Sequence, residues 1–310
     1  MSNPNPGPGQ KITPFIWYDN EAEDAARFYT SLFADGRITH VSRYSDAGNE
    51  AHGQPAGKVM VAGFELAGHR FSALNGGPSF KPTPAISFFV RLESEAEVNA
   101  LWEGLGEGGS VLMALDGYPW SRRYGWLQDR YGVSWQIAVH ETAAQGTTIT
   151  PSLMFTQGNM GRAAEAIALY TRIFPGAAQG PVQYRDTTDG EAAGTVLFGS
   201  FTLFGQEFSI MDAPGAHDFG FTEGLSLMVS CETQAEVDHY WEALTAEGGQ
   251  ESQCGWLKDR FGVSWQITPT VMEGLMASSD RAAADRLMNA MLKMKKLDIA
   301  TLEAAARAQL

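Results

Sequence analysis

One string in this chain is written twice. Gly125-Trp126-Leu127-Gln128-Asp129-Arg130-Tyr131-Gly132-Val133-Ser134-Trp135-Gln136-Ile137 returns as Gly255-Trp256-Leu257-Lys258-Asp259-Arg260-Phe261-Gly262-Val263-Ser264-Trp265-Gln266-Ile267, with two of thirteen positions changed. Other pieces repeat in the same order: Ile12-Thr13-Pro14 as Ile149-Thr150-Pro151, Tyr29 to Phe33 as Tyr170 to Phe174, and Ala96-Glu97-Val98 as Ala235-Glu236-Val237. Ordered self-similarity of this kind marks a duplication. The chain therefore builds one unit twice, over 11–140 and 149–270, with a small polar linker near Glu141 to Thr148. A Pro-, Gly- and Asn-rich lead (1–10), expected to be disordered, and a tail (271–310) flank the two copies.

A shorter period runs inside each copy. Residues 12–18 alternate and are bulky, as in a strand. Asn20 is placed to cap a helix over 21–33 with Glu23 at the third position, and Ala22, Ala25, Tyr29, Leu32 and Phe33 recur at helical spacing. Strands are expected near 37–44, 58–66 and 69–75. The series then restarts: a strand at Ala85 to Arg91, a capping box at Ser94 to Glu97, a helix with Val98, Leu101, Trp102 and Leu105 on one face, and closing strands joined through Asp129 to Gly132. Each copy reads βαβββ twice. Thr233 to Glu236 supplies the equivalent capping box in the second copy.

The GWLxDRxGVSWQI string, the Asn75-Gly76-Gly77-Pro78 turn and the Ala85-Ile86-Ser87-Phe88 strand resemble the PhnB-like branch of the vicinal-oxygen-chelate, or glyoxalase/bleomycin-resistance, superfamily. Its members often carry the label 3-demethylubiquinone-9 3-methyltransferase. The resemblance implies an α+β fold of two tandem domains, each a pair of βαβββ modules forming one curved mixed sheet around a cavity, plus C-terminal helices. It also implies that the two copies pack as an internal pseudo-dimer.

Strand parity divides the side chains between helix-covered and cavity faces. Ile16, Tyr18, Phe88 and Val90 fall under the helices with Leu153, Phe155, Leu227 and Val229. The cavity face then takes Phe15, Trp17, Ser87 and Phe89 from one copy, and Ser152, Met154, Ser226 and Met228 from the other. Ser134 and Gln136 share a face opposite Trp135, as do Ser264 and Gln266 opposite Trp265. Buried Ser and Gln must find partners, either in the protein or in a ligand's oxygen atoms. Trp126 and Trp256 are candidates to stack on a planar ligand, or are ordinary core. Asn75 and Asp212 complete the candidate ligand-binding set. Cys254, whose counterpart is Tyr124, could line the second cavity; no His nearby in sequence would activate it, so an inert thiol is the ordinary reading.

Metal-using members of the superfamily place four ligands on the cavity strands. Carried over by strand position, these fall near Thr13 and Thr150, within 69–75 and 206–212 (where only Glu207 and Asp212, in the second copy, are read as able to ligate), at Ala85 and Gly224, and at Gln136 and Gln266. No divalent metal site is expected from that set. No glycine-rich strand–turn–helix offers a place for an adenosyl cofactor, and no cofactor is expected.

The formal net charge of −14 argues against nucleic acid and anionic membranes as partners. The two cysteines, Cys231 and Cys254, form no CxxC pair, and the chain reads as cytoplasmic. In the tail, Asp280 and Asp298 are placed to cap helices carrying Ala284, Leu287, Met288, Met291 and Leu292, then Leu302 and Ala305. That stripe must pack on its own chain or on a second subunit, which makes the tail a candidate homodimer surface. The expected function is metal-independent binding of a small hydrophobic or aromatic molecule. The alternatives are a metal-dependent lyase, isomerase or dioxygenase of the same superfamily, and a methyltransferase acting on a quinone-like substrate.

Overall fold

The computed structural model describes residues 9–141, 146–272 and 280–308. The expected disordered lead lies mostly outside that range. Its last residue, Gln10, is buried, and its side chain joins the carbonyls of Ile12 and Arg70. Much of the expected linker is also outside the described residues, and Thr148 already begins a strand.

Four βαβββ modules follow one another. The first is β1 (Ile12–Tyr18), α1 (Ala22–Leu32), β2 (Arg37–Arg43), a helical turn α2 (Asn49–His52), β3 (Val59–Leu66) and β4 (His69–Asn75). The second is β5 (Ile86–Leu92), α3 (Glu95–Gly106), β6 (Ser110–Tyr118), β7 (Ser121–Gln128) and β8 (Ser134–Val139). The third is β9 (Thr148–Phe155), α4 (Ala163–Ile173), β10 (Ala178–Tyr184), β11 (Val196–Leu203) and β12 (Gln206–Asp212). The fourth is β13 (Leu225–Cys231), α5 (Gln234–Thr245), β14 (Gln250–Glu251), β15 (Trp256–Lys258) and β16 (Ser264–Pro269). Helices α6 (Arg281–Met291) and α7 (Ile299–Arg307) form the tail.

The α+β class and the internal pseudo-dimer are as expected, but the sheets are not assembled copy by copy. One eight-stranded sheet runs β14-β15-β16-β13-β1-β4-β3-β2 and joins the first module to the fourth. The other runs β10-β11-β12-β9-β5-β8-β7-β6 and joins the third to the second. The seams are antiparallel, β1 on β13 and β5 on β9. Each sheet therefore takes one module from each copy, where the sequence reading had each copy wrap a sheet of its own.

The repeated string explains why. Modules of the same copy pack back to back through their helix-covered faces. Asp129 is buried in the β7–β8 turn, where its Oδ1 accepts the amides of Tyr131 and Val133. Its Oδ2 accepts Trp135 Nε1 at 2.8 Å and the Tyr29 hydroxyl, from α1, at 2.8 Å. Asp259 repeats this with Phe261, Val263, Trp265 and Tyr170. Burial still pushes both carboxyls above their ordinary range, against the four donors that each receives. The string thus fastens the two modules of one copy to each other. With its partner module held behind it, each module's free strand edge is left to pair with the other copy.

The helix starts divide in two. The Ser94 capping box forms as written, and Thr233 accepts the Glu236 amide. Asn20 does not cap α1: the Ala22 amide is taken by Asn75 Oδ1, from the end of β4. Asp212 does the same for α4, accepting Gly161 and Ala163 with Oδ1 and Val196 with Oδ2. In the tail, Asp280 and Asp298 cap as expected, and Met272, Leu287, Leu297 and Leu302 make a small separate core on the chain itself.

Candidate functional site

On the second sheet a cavity of about 820 Å³ lies on the face away from the helices. All eight strands reach it, from Met113 on β6 to Gln183 on β10, so the sheet curls around the space. Its aromatic and apolar wall includes Phe89, Tyr124, Trp126, Phe198 and Met211. Arg91, Thr148, Thr150, His140 and Glu207 bring polar groups, and His69 lines it from the start of β4 in the other sheet.

The floor is ordered by strand register. Ser134, Ser87, Ser152 and Ser209 stand in one row across β8, β5, β9 and β12. The neighbouring row is Gln136, Phe89 and Thr150. Gln136 binds the rows together: Nε2 donates to Ser87 Oγ at 2.9 Å and reaches Ser152 Oγ at 3.4 Å, while Oε1 accepts the Tyr124 hydroxyl at 2.8 Å. Trp126 Nε1 donates to Ser134 Oγ at 2.7 Å. Ser209 Oγ is buried without a hydrogen-bond partner among the described residues.

The first sheet has the same rows with different contents. Phe15 stands between Ser226 and Ser72, in the place of Ser152. Its ring meets Trp256 edge-on at 5.9 Å, Trp256 meets Trp17 at 5.9 Å, and Trp17 meets Phe80 at 5.0 Å. Trp17 Nε1 is tied to the Gly77 carbonyl at 2.7 Å. Gln266 Nε2 donates to Ser226 Oγ at 2.9 Å, and Ser264 Oγ has no partner among the described residues.

The hairpins differ as well. The β6–β7 segment from Gly109 to Gly125 is ten residues longer than its counterpart from Gly249 to Gly255. In the short hairpin the tail fills the gap, with the amides of Cys254 and Gly255 donating to the carbonyls of Met294 and Lys295. Further back along the tail, Leu292 lies against Gly48 in the β2–β3 loop. A Cβ on Gly48 would come within 2.2 Å of Leu292 Cδ1, so that side chain would have to shift, and the φ of 78° itself favours glycine there. The tail thus spans from one arm of the first sheet to the other.

The sequence-derived residues sort accordingly. Ser87, Phe89, Trp126, Ser134, Gln136, Ser152 and Met154 belong to the second sheet, and Phe89, Trp126 and Gln136 line the cavity. Phe15, Trp17, Ser226, Met228, Trp256, Ser264 and Gln266 belong to the first. Asn75 and Asp212 stand apart, because their polar atoms are spent on helix starts and on the backbone of β3 and β11. Cys254 sits in the short hairpin at φ 60°, and burial pushes its thiol up. Arg91, Tyr124, His69 and Phe198 are additions. Arg91 continues the parity of Ser87 and Phe89, the one signal that could have found it.

The metal positions shift by register: Phe89 and Met228, not Ala85 and Gly224, stand beside Gln136 and Gln266. The stretch 69–75, read without a ligand, holds His69, whose ring burial lowers to about 4. Among the described residues no three His, Cys, Asp or Glu side chains are placed to hold a metal ion, so this donor set does not fit one. An adenosyl donor fits no better at the helix starts of α1 and α4, where Asn75 and Asp212 occupy the amides that an anion would need. No helix among the described residues is long and apolar enough to cross a membrane.

No curated protein matches the chain. Among solved structures, a PhnB protein from Bacillus cereus is 39% identical over 42% of this chain and 100% of its own, with a TM-score of 0.39. Glyoxalase I from Zea mays is 9% identical over 87% of this chain and 98% of its own, with a TM-score of 0.52, a likeness of fold. The family model described as 3-demethylubiquinone-9 3-methyltransferase matches residues 10–138 and again 147–268. Matched along both copies, the chain belongs to that family, and its fold is shared with glyoxalase I.

Proposed function

We propose that this protein binds one small hydrophobic or aromatic molecule on the open face of its second sheet, without a metal. The single observation that supports this is the 820 Å³ cavity with its aromatic wall. That volume lies in the range of ligand pockets, roughly 300–1,000 Å³. Its polar groups, Arg91, Gln136, Thr150 and Glu207 among them, converge from several strands, as a site that orients a ligand requires. Gln136 is held on both sides by Ser87 and Tyr124, so it presents a fixed amide edge.

Native mass spectrometry of protein purified from its own host tests the reading. A bound small molecule, lost when Phe89→Ala and Trp126→Ala are combined, is the expected result. Elemental analysis belongs to the same experiment. Near-stoichiometric zinc, nickel, manganese or iron that survives dialysis and is lost with Gln136→Ala would move the protein to the metal-dependent enzymes. Tight binding of an adenosyl methyl donor by calorimetry would move it to the methyltransferases.

A further inference from the structure

Arg91 is the unusual group in the cavity. It lies on β5, opposite Ala138 on one side and Thr148 on the other. Its guanidinium carbon is 4.0 Å from the centroid of the Phe89 ring. Among the described residues it makes no hydrogen bond and no ion pair; the Phe89 ring and a through-space attraction to Glu207 are its interactions. Three other half-buried arginines of this chain have acceptors. Arg185 donates to Thr195, Val196 and Asp212, Arg286 to two helix carbonyls, and Arg162 to Glu165. A guanidinium carries five donors in a planar fork. Half-buried beside a ring and with no acceptor from the protein, its donors are left to water or to a ligand. Partial burial weakens its hold on its proton, and the attraction to Glu207 offsets this only in part.

We infer that the ligand of this cavity is an amphipathic monoanion, a planar apolar or aromatic body bearing one carboxylate- or sulfonate-like group that Arg91 receives. This rests on the reading of the second sheet's open face as a ligand site. The fork matches two oxygens of such a group side by side, which a neutral polar group cannot offer. Phe89, Tyr124, Trp126 and Phe198 take the body of the molecule. A single charge is favoured over several. Glu207 and Glu141 also border the cavity, and the chain as a whole carries −14. A phosphate ester or polyanion would meet that field with one cation to offset it.

Two dyes of nearly one shape test the charge. Anilinonaphthalenesulfonate is anionic, and phenylnaphthylamine is its neutral parent. Each is titrated by fluorescence and calorimetry into the full chain and into Arg91→Gln and Arg91→Lys, whose folding is checked by thermal melting. The expected result is one site per chain, about tenfold or greater preference for the anionic dye, loss of that preference in Arg91→Gln with the neutral dye unaffected, and an intermediate preference in Arg91→Lys. Equal binding of the two dyes to the wild type overturns the inference and leaves the cavity reading standing. A preference that survives Arg91→Gln overturns it as well. If neither dye binds, the cavity reading itself falls, and this inference with it.

Discussion

The two sheets share a plan and differ in what occupies their open faces. On the second, four serines cross the floor and the space above them is open. On the first, Phe15 replaces one serine, Trp17, Phe80 and Trp256 close ring on ring, and the tail lies from arm to arm. The difference teaches how duplication relaxes a binding fold. Back-to-back fastening through Asp129 and Asp259 is kept in both copies because each carboxylate serves four donors at once. The open faces are not bound by that demand. One keeps a long hairpin and a cavity, and the other shortens the hairpin, gathers aromatic rings and is crossed by the tail.

The exchange of modules predicts the largest effect. The first copy expressed alone, as 1–145, leaves the edges of β1 and β5 unpaired, where β13 and β9 sit in the whole chain. Unpaired edges seek strands. The fragment should self-associate, and its dimer should rebuild two sheets of one kind, each joining β1 to β5. A stable monomer by light scattering would break the comparison at its root.

Next come the fastenings. Asp129→Ala and Asp259→Ala each strand two backbone amides, a Tyr hydroxyl and a Trp indole. Each should cost on the order of 4 kcal/mol in urea unfolding, since several buried donors lose their acceptor together. The two costs should be nearly equal. A difference of more than about 1 kcal/mol would mean that the copies are not held by the same device.

The faces themselves can be separated. Trp17→Ala removes a ring from the plug of the first sheet and should cost about 3 kcal/mol, in the range for a large aromatic. It should also open a second site for phenylnaphthylamine. Met154→Ala, at the equivalent position of the second sheet, should leave a single site. The same number of sites in both variants would show that the plug does not set the difference.

The architecture was legible where one residue had one dominant demand. Alternation gave the strands, the Ser94 box gave α3, and the repeat gave the pseudo-dimer. What it could not give was which copy's edge each strand would meet, because β1 alternates in the same way whether its neighbour is β5 or β13. Asn75 and Asp212 were misplaced for a related reason. A polar residue at a strand end can face a cavity or reach a helix start, and only the tertiary position of α1 and α4 decides. Parity found Phe89 and Gln136 but stopped two residues short of Arg91. The plug was invisible because Phe80 lies on a loop and the tail lies far along the chain.

The smallest effect concerns His69, which borders the second cavity from the first sheet. The residue is 7% exposed, and its ring has no hydrogen-bond partner among the described residues. Burial lowers it to about 4, with Asp35 opposing weakly. The folded value lies below the unfolded one of about 6.5, so between the two the unfolded chain binds more protons. Stability is therefore highest above pH 6.5 and falls as pH drops toward 4, after which this residue adds no further loss. From pH 7 to pH 5 the loss should be about 2 kcal/mol. Its counterpart on the other module is Gln206, which does not titrate. His69→Gln should flatten the urea midpoint across that window by this amount, making the two modules alike. An unchanged slope would mean that the ring takes up its proton at an ordinary pH, from water in the cavity, and that this end of the site is wetter than the burial of His69 implies.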